Sequence, residues 1–499
     1  MTFLVFLLLT IFAFFLLVCF LSFVSFNSTV KSVNVLVYSL VFIFIVFFVF
    51  FTTMFSNPYL IPLLSPFFTV YSTSVSVAFF LGFSCIIFSI LFFSGPFNQF
   101  SSQNLMGFFF FLVAVAASFS LLVVSDFIIF VIFSELLAIS SYLLIFFNNT
   151  HSHFVSSFKY LIINAIGTLF ILAGLTFAHF YFGVNDFLNL FYIFENAPLR
   201  SSEMETGYLL FNFFFWLGLI IKFGLFPFHY WVFDIYENSS KFAVIFFSTF
   251  LKLPFFPIII SALKSATYYV VFCLCIVGFI SVLYASIFSV RAFLTNKKKF
   301  SFRRLMAYSS INNFGLLFLI LPTSRSVTLF YLFSYFLATL FVFLAYFDIA
   351  DFETKDELRN FYTSPTNESF FYLTAHKYSY NMFCVSIIVT SGLPLFGLFF
   401  PKFVLFGALL NSTGFVFQHG IIFAIALLVG GFFFVYVYYK FSFSGWFTFP
   451  HNYLDRFDTL KSDENSRSKK FTIYLRIFCY YVLGLAFILV PYVLYYYIL

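Results

Sequence analysis

Long apolar stretches follow one another along most of this sequence, separated by short polar segments. Hydrophobic residues make up 63% of the 499 residues and charged residues 9%, whereas roughly a quarter of the residues in a soluble globular protein are charged. A helix needs about 20 mostly apolar residues to cross a bilayer. The pattern therefore predicts an all-α polytopic membrane protein, because a membrane β-barrel would show short alternating segments instead.

The apolar stretches divide into about fourteen segments of roughly 20–30 residues each. The first segment has no positive n-region and no small-residue cleavage site, so we expect a retained span rather than a signal peptide. The join near Ser125 is the tightest. The predicted segments begin near Thr2, Val33, Val70, Leu105, Asp126, Phe154, Thr206, Lys241, Thr267, Phe302, Val327, Tyr380, Gln418 and Phe471.

Basic residues are divided unevenly between the two sides on which successive loops would lie. One side carries most of them, including the run Asn296–Arg304, and the other side carries only Arg200, Lys264 and Arg325. The positive-inside rule places the richer side in the matrix or cytoplasm, so both termini are expected to face the opposite compartment. Next to a span, the basic run indicates a topology signal or a contact with lipid headgroups such as cardiolipin, rather than nucleic-acid binding.

Phenylalanine is unusually frequent, at 96 residues. Its codons are TTT and TTC, so a T-rich genome would favour it at apolar positions. Together with the absence of an Arg-rich transit peptide, this composition favours synthesis inside an organelle and a place in the mitochondrial inner membrane. An AT-rich bacterium and its plasma membrane remain the alternative.

The cysteines do not form a recognisable ligand set. All six lie in or beside apolar stretches, and the one close pair, Cys273 and Cys275, lacks the spacing and partners of zinc or iron–sulfur sites. No Gly-rich nucleotide loop or nucleic-acid motif is present. We therefore expect no metal, no bound cofactor and no redox active site in this chain.

Five charged residues remain inside the predicted spans: Lys159, Lys222, Lys252, Lys402 and Glu135. A charge at the bilayer centre costs about 2.5–3.5 kcal/mol on insertion scales, and such residues are usually functional. Lys159 lies near a segment end and could simply extend its amine to the interface, and Glu135 could be half of a structural ion pair. Carboxylate and amines at this depth are nevertheless what a proton relay needs.

Two of the lysines lie beside prolines. Pro227 follows Lys222 by five residues, and Pro394 precedes Lys402 in a Gly- and Pro-containing segment. These two segments are the fourth of spans 4–8 and the fourth of spans 9–13, and interrupted helices in corresponding positions of two repeats mark the ion site of many transporters. His229, next to the first break, is either an accessory proton relay or a satisfied interfacial histidine.

Several motifs around these residues occur in an order that resembles the antiporter-like subunits of respiratory complex I, NADH:ubiquinone oxidoreductase, and most closely their subunit 2 (N-type) branch. The run from Lys222 to Trp231, KFGLFPFHYW, is the most specific of them. The motifs are SELLAISSYLL (Ser134–Leu144), FKYLIINAIGTLF (Phe158–Phe170), IKFGLFPFHYWVFDIYE (Ile221–Glu237), FLKLP (Phe250–Pro254), RRLMAYSSINNFG (Arg303–Gly315) and SGLPLFGLFFPKF (Ser391–Phe403).

The resemblance implies a particular architecture. It has about fourteen transmembrane helices, with two inverted five-helix repeats in which helices 7 and 12 are broken. The implied divisions are 1–104 for helices 1–3, 105–265 for the first repeat, 266–445 for the second, and 446–499 for a polar loop and helix 14.

The resemblance also implies proton translocation driven by quinone reduction elsewhere in a large complex. It assigns Glu135 and Lys222 to the first half-channel, Lys252 to a connecting carrier and Lys402 to the second half-channel. Other membrane-arm subunits are the implied partners. NADH, FMN, iron–sulfur clusters and ubiquinone are expected in other subunits.

The chain departs from the family pattern in two places. Glu237 is followed by Asn238-Ser239-Ser240 rather than Gly-Ala-Pro, and Pro394 is followed by leucine where a second proline is common. The segment Asp234–Glu237 is expected to be a loop.

Two other functions are compatible with the same residues. A stand-alone cation/proton antiporter would use the buried lysines to exchange ions. A membrane scaffold would use them only for contacts between helices, and would tolerate neutral substitution of Lys222, Lys252 and Lys402 together.

Overall fold

The computed structural model describes most of the central part of the chain. The described residues are 102–146, 151–196, 202–239, 241–264, 266–295, 302–322, 324–353 and 398–410, with 77, 78, 81, 82, 386, 387, 390–392, 423, 425, 428, 430, 431 and 433–437. The continuous ranges form α1 (Ser102–Leu121), α2 (Phe127–Phe146), α3 (His151–Phe182), α4 (Phe187–Asn196), α5 (Ser202–Phe223), α6 (Tyr230–Asn238), α7 (Lys241–Thr249), a 3₁₀ helix (Leu253–Phe255), α8 (Phe256–Lys264), α9 (Tyr268–Thr295), α10 (Phe302–Ile320), α11 (Arg325–Glu353) and α12 (Phe399–Leu410).

Eight predicted segments coincide with helices. The predicted starts from Leu105 to Val327 fall within four residues of the starts of α1, α2, α3, α5, α7, α9, α10 and α11. Six helical stretches in the described ranges are long and apolar enough to cross a membrane, and one of them, Ala243–Leu263, joins α7, the 3₁₀ helix and α8. Six of the predicted starts lie outside the described residues, namely those near Thr2, Val33, Val70, Tyr380, Gln418 and Phe471.

The chain divides into two compact units. The first consists of the described residues in Met1–Gly224 and Phe228–Val270, and the second of those in Leu225–Pro227 and Val271–Leu499. In the first unit α3 packs on α5 and α2, α1 packs on α2, and α6 lies against α3. In the second unit α10, α11 and α12 pack on one another.

Glycines allow α3 and α5 to approach each other closely. A Cβ added at Gly218 of α5 would lie 2.6 Å from the Gly167 carbonyl oxygen and 2.6 Å from Cγ1 of Ile171, both on α3. A Cβ at Gly174 would lie 2.9 Å from the backbone nitrogen of Phe215. Small residues at helix contacts are typical of membrane proteins, where packing rather than water exclusion holds helices together.

Phenylalanine rings fill the core of the first unit. The ring of Phe187, the first residue of α4, packs against Phe127 at 4.8 Å and against Phe130 at 5.3 Å, measured between ring centroids, and both pairs are edge-to-face. This arrangement places the positive edge of one ring against the negative face of the next. Phe187 also contacts Phe215 of α5 at 6.1 Å, so one residue joins α2, α4 and α5.

Two aspartates fix the starts of α2 and α4. The Asp126 carboxylate accepts a hydrogen bond from the backbone N–H of Ile128 at 2.8 Å, and the Asp186 carboxylate accepts one from Asn189 at 3.2 Å. These carboxylates satisfy N–H groups that have no partner within the helix. The two aspartates also face each other in an isolated antiparallel bridge.

The short helix α4 is absent from the sequence prediction, which placed no element between the sixth and seventh segments. Its ten residues, Phe187–Asn196, are too few to cross a membrane, which takes about 20 residues, so they do not show the pattern of a span. The aspartate cap and the spacing of the buried apolar residues Phe187, Leu190 and Phe191, three and four positions apart, are the local signals for this helix.

The expectation of a loop at Asp234–Glu237 is wrong, because these residues lie in α6. The Asp234 carboxylate accepts a hydrogen bond from Lys159 Nζ of α3 at 2.7 Å, which forms an ion pair. This pair joins α6, the helix that follows the break, to α3.

The eighth segment is not one continuous α-helix, and this interruption is additional to the predicted breaks in segments 7 and 12. α7 ends at Thr249, Lys252 lies in a turn, and α8 begins at Phe256. Pro254 lies in the 3₁₀ helix between them. Proline has no N–H to donate, and its ring clashes with the preceding turn of an α-helix, which accounts for the interruption.

The glycine contact between α3 and α5 predicts a difference between two Gly→Ala substitutions. Gly218→Ala should destabilise the chain by about 1–3 kcal/mol, because the new methyl group has to displace the backbone of α3. Gly107→Ala in α1 is the matched control, since a Cβ there meets nothing within 4 Å, and should be neutral or slightly stabilising. Thermal unfolding of the purified protein in detergent measures both, and equal melting temperatures for the two variants would contradict the packing described.

Candidate functional site

Lys222 lies at the end of α5, in the interior of the first unit. It is 7% exposed. Its Nζ donates a hydrogen bond to Ser134 Oγ of α2 at 3.4 Å and lies 5.5 Å from the centroid of the Phe255 ring. One weak hydrogen bond and one aromatic face therefore surround an amine that the sequence marked as a proton carrier.

The break after Lys222 starts at a glycine. Gly224 has φ of 66°, in the left-handed region that favours glycine. Its place is also crowded, because a Cβ there would lie 2.5 Å from Val232 Cγ2 and 3.0 Å from Trp231 Cζ2. Pro227 lies between the end of α5 at Phe223 and the start of α6 at Tyr230, so the last carbonyl groups of α5 have no partners within their own helix.

Lys252 binds one of these carbonyl groups. Its Nζ donates a hydrogen bond to the backbone oxygen of Phe223, the last residue of α5, at 2.8 Å. Its Nζ also lies 6.0 Å from the centroid of the Trp231 ring, and the residue is 5% exposed. The C-terminal end of a helix carries a partial negative charge, which explains how a buried cation is accommodated here.

Lys222 and Lys252 line the same small cavity. Its volume is about 10 Å³, close to the roughly 10–15 Å³ that one ordered water needs. Three further polar side chains reach it, from Ser134, Tyr160 and Asn164. The remaining lining residues are Leu137, Ala138, Phe223, Leu251 and Phe255.

Glu135 follows Ser134 on α2 but is not paired with Lys222. Its Oε1 is buried, and no hydrogen-bond partner for it lies among the described residues. In this part of the chain, the ion pair found is that of Lys159 with Asp234. Ser134, rather than Glu135, is therefore the α2 residue in contact with the Lys222 amine.

Lys159 and His229 lie apart from the cavity lining. Lys159 is exposed and pairs with Asp234, so its amine is held by a carboxylate. His229 is buried at the start of α6, with its ring stacked on Tyr230 at 4.4 Å. The Lys159 pair joins α6 to α3, whereas the His229 ring packs against Tyr230 and Phe233 of α6 itself.

Lys402 lies in the second unit, on α12. Its Nζ donates a hydrogen bond to the backbone oxygen of Ser391 at 3.4 Å. Gly392 follows, with φ of 78°, and a Cβ added there would lie 2.8 Å from Lys402 Nζ. Ser391 is helical and Gly392 is not, so this amine too binds a carbonyl group at the point where helical conformation ends. Pro394, the predicted break, lies outside the described residues.

Most of the polar residues that line the cavity were not predicted as site residues from the sequence. Ser134, Tyr160 and Asn164 lie in the motifs that carry the family resemblance, but serine, tyrosine and asparagine are common in helices and did not single these residues out. A weak signal was available, since Tyr160 and Asn164 are four residues apart and therefore share a helix face.

The described residues contain no group of three or more His, Cys, Asp or Glu side chains placed to bind a metal ion. Cys273 and Cys275 both lie on α9 with free thiols, Cys273 exposed and Cys275 buried. The ionisable groups gathered at the cavity are amines, which suits proton transfer rather than metal binding.

Known proteins are similar to this chain in sequence. NADH-quinone oxidoreductase subunit N from Buchnera aphidicola (Schizaphis graminum) is 30% identical over 203 residues, 38% of this chain and 38% of that protein. NADH-quinone oxidoreductase subunit N 2 from Hydrogenobaculum sp. is 28% identical over 295 residues, 57% of this chain and 58% of that protein. The chain thus matches less than two thirds of the length of these relatives.

A solved structure, respiratory complex I from Thermus thermophilus with bound aureothin, contains a chain that aligns with a TM-score of 0.63 at 18% identity, covering 97% of this chain and 98% of that one. This likeness shows a shared fold. The family model described as NADH:quinone oxidoreductase/Mrp antiporter, TM, matches residues 124–429, more than half of the sequence. The chain therefore belongs to the NADH:quinone oxidoreductase/Mrp antiporter transmembrane family.

Proposed function

We propose that this chain is an N-type, proton-translocating membrane-arm subunit of an NADH:ubiquinone oxidoreductase, respiratory complex I. The observation that carries the proposal is the cavity shared by Lys222 and Lys252 at the end of a broken helix. Two amines on one water-sized cavity can pass a proton between them, whereas two lysines serving only helix contacts have no reason to converge there. This convergence weighs against the scaffold interpretation.

In the proposed cycle, Glu135 and Lys222 form the entry pair. When a neighbouring subunit brings the Glu135 carboxylate close to Lys222, its negative charge favours the protonated amine. When the carboxylate moves away, the ammonium group loses that support and its proton moves to Lys252. Lys402 then continues the path in the second unit. Lys159 and His229 are accessory groups in the first unit.

The proposal extends to the architecture. It comprises about fourteen spans, with inverted five-helix repeats at 105–265 and 266–445, helices 1–3 in 1–104 and helix 14 in 446–499. The eight segments found at their predicted places and the fold shared with the complex I chain support it. The lysine–carbonyl contact in each unit supports two related halves.

The proposal also covers the surroundings of the chain. Its phenylalanine-rich composition supports the mitochondrial inner membrane, with both termini in the intermembrane space, although the bacterial relatives suit a plasma membrane equally well. Other membrane-arm subunits and membrane lipids, cardiolipin among them, are the proposed partners, and nucleic acid is not. NADH, FMN, iron–sulfur clusters and ubiquinone are assigned to other subunits, so this chain holds no redox site.

A second candidate function is a cation/proton antiporter acting outside a redox complex. The family description, which includes the Mrp antiporter, favours it. The native mass of the particle that contains this chain separates the two. A large particle with NADH oxidation activity supports the first function, and a small particle that exchanges sodium for protons supports the second.

Lys222→Ala should lower proton pumping by the assembled complex about 100-fold, the lower end of what a positioned proton-transfer group usually contributes. Proteoliposomes containing the purified complex allow proton uptake and quinone reduction to be measured together. Arg325→Ala is the control, since Arg325 is an exposed cation on α11, and should leave both rates unchanged. Unchanged pumping per quinone reduced in Lys222→Ala would overturn the proposal.

Two glycines near Lys402 predict opposite results. Gly392→Ala places a methyl group 2.8 Å from Lys402 Nζ at a positive φ, so it should displace the amine and reduce pumping at least about tenfold. Gly407→Ala, on the same helix as Lys402, introduces its methyl group where nothing lies within 4 Å and should pump normally. If both variants pump at the wild-type rate in the same proteoliposome assay, the position of the Lys402 amine does not matter to transport.

A further inference from the structure

Tyr160 is the one aromatic residue with a hydroxyl group among those that line the cavity of Lys222 and Lys252. It lies on α3 and is 3% exposed. A buried tyrosine hydroxyl normally has a hydrogen-bond partner. Its presence at the same cavity as two amines raises the question of what this hydroxyl does there.

The Tyr160 hydroxyl is held by α2. It lies 2.9 Å from Ser141 Oγ, and Ser141 Oγ lies 2.8 Å from the backbone oxygen of Ala138. A serine hydroxyl has one proton and two acceptor sites. If Ser141 donates its proton to the Ala138 carbonyl group, Tyr160 can donate to Ser141, and its own oxygen remains able to accept a further hydrogen bond.

A water in the cavity would complete this chain. Buried waters are held by two to four polar partners, and three residues that carry such groups, Lys222, Lys252 and Tyr160, line the cavity. Such a water accepts a hydrogen bond from the protonated lysine. It donates one hydrogen bond to the neutral lysine and another to the Tyr160 oxygen. The water then donates to Tyr160, Tyr160 donates to Ser141, and Ser141 donates to the Ala138 carbonyl oxygen, so each hydroxyl proton is used once.

We propose that Tyr160 is a positioning residue for proton transfer, whose hydroxyl orients the water between Lys222 and Lys252. This inference rests on the proposed function. In the transfer step an N–H bond of Lys222 breaks as an O–H bond forms on the water, and an O–H bond of the water breaks as an N–H bond forms on Lys252. Tyr160 gains and loses no proton, because it only fixes the orientation of the water.

The surroundings of Tyr160 allow the hydroxyl to be tested separately from the ring. The ring contacts Trp231 of α6 at 5.4 Å and Phe247 of α7 at 5.0 Å between centroids. Tyr160→Phe keeps these contacts and removes the oxygen alone. Tyr208→Phe is the matched control, because Tyr208 is also 3% exposed, and its hydroxyl accepts a hydrogen bond from the Thr267 backbone N–H at 2.6 Å, away from the cavity lining.

The experiment measures proton pumping by the intact complex in proteoliposomes, in H₂O and in D₂O. Tyr160→Phe should lower the pumping rate about five- to tenfold, as expected for one lost hydrogen bond in the transfer step. Its ratio of rates in H₂O and D₂O should rise above the wild-type ratio, because transfer between the lysines becomes rate-limiting. A loss of packing alone would not raise this ratio, and Tyr208→Phe should leave both quantities unchanged.

Lys222→Ala, measured in parallel, separates this inference from the proposed function. If Lys222→Ala stops pumping and Tyr160→Phe behaves as wild type, the inference about Tyr160 is overturned and the proposed function stands. If neither variant changes pumping, both are overturned. If Tyr160→Phe does not assemble, Ser141→Ala decides, since it removes the partner of the hydroxyl. A raised isotope ratio in that variant supports the inference, and a wild-type ratio overturns it.

Discussion

The hydrogen bond between a buried lysine and the carbonyl group that ends a helix is the interaction on which the rest of this structure depends. A lone ammonium group in the bilayer interior is costly, and a helix end without partners for its carbonyl groups is costly as well. Lys252 Nζ and the Phe223 oxygen satisfy each other at 2.8 Å. Lys402 and Ser391 repeat the contact in the second unit at 3.4 Å.

This interaction explains why glycines follow both carbonyl groups. Gly224 and Gly392 have φ of 66° and 78°, the left-handed conformation in which helices commonly end. A third glycine, Gly167 on α3, leaves room for the Lys222 side chain, since a Cβ at position 167 would lie 3.2 Å from Lys222 Cγ. Backbone conformation and helix packing thus position the amines of Lys222, Lys252 and Lys402.

Much of the fold could be predicted from the sequence, but only the ionisable part of the site. Lys222 was identifiable because a lysine in an apolar stretch is rare. The break after Lys222 was identifiable because Gly224 and Pro227 disrupt helices locally. The turn at Lys252 was missed, since one proline in a long apolar run permits either a kink or a break. The convergence of Ser134 and Tyr160 on the cavity depends on how α2 and α3 pack, which no local pattern encodes.

The central claim is that Lys222 and Lys252 exchange a proton through the cavity between them. A density map of the complete complex in lipid, at a resolution that shows ordered water, tests it most directly. We expect a water within about 3 Å of both amine nitrogens, with Lys252 still bound to the Phe223 oxygen. Aliphatic side chains packed between the two amines, with no water in any state of the complex, would contradict the account.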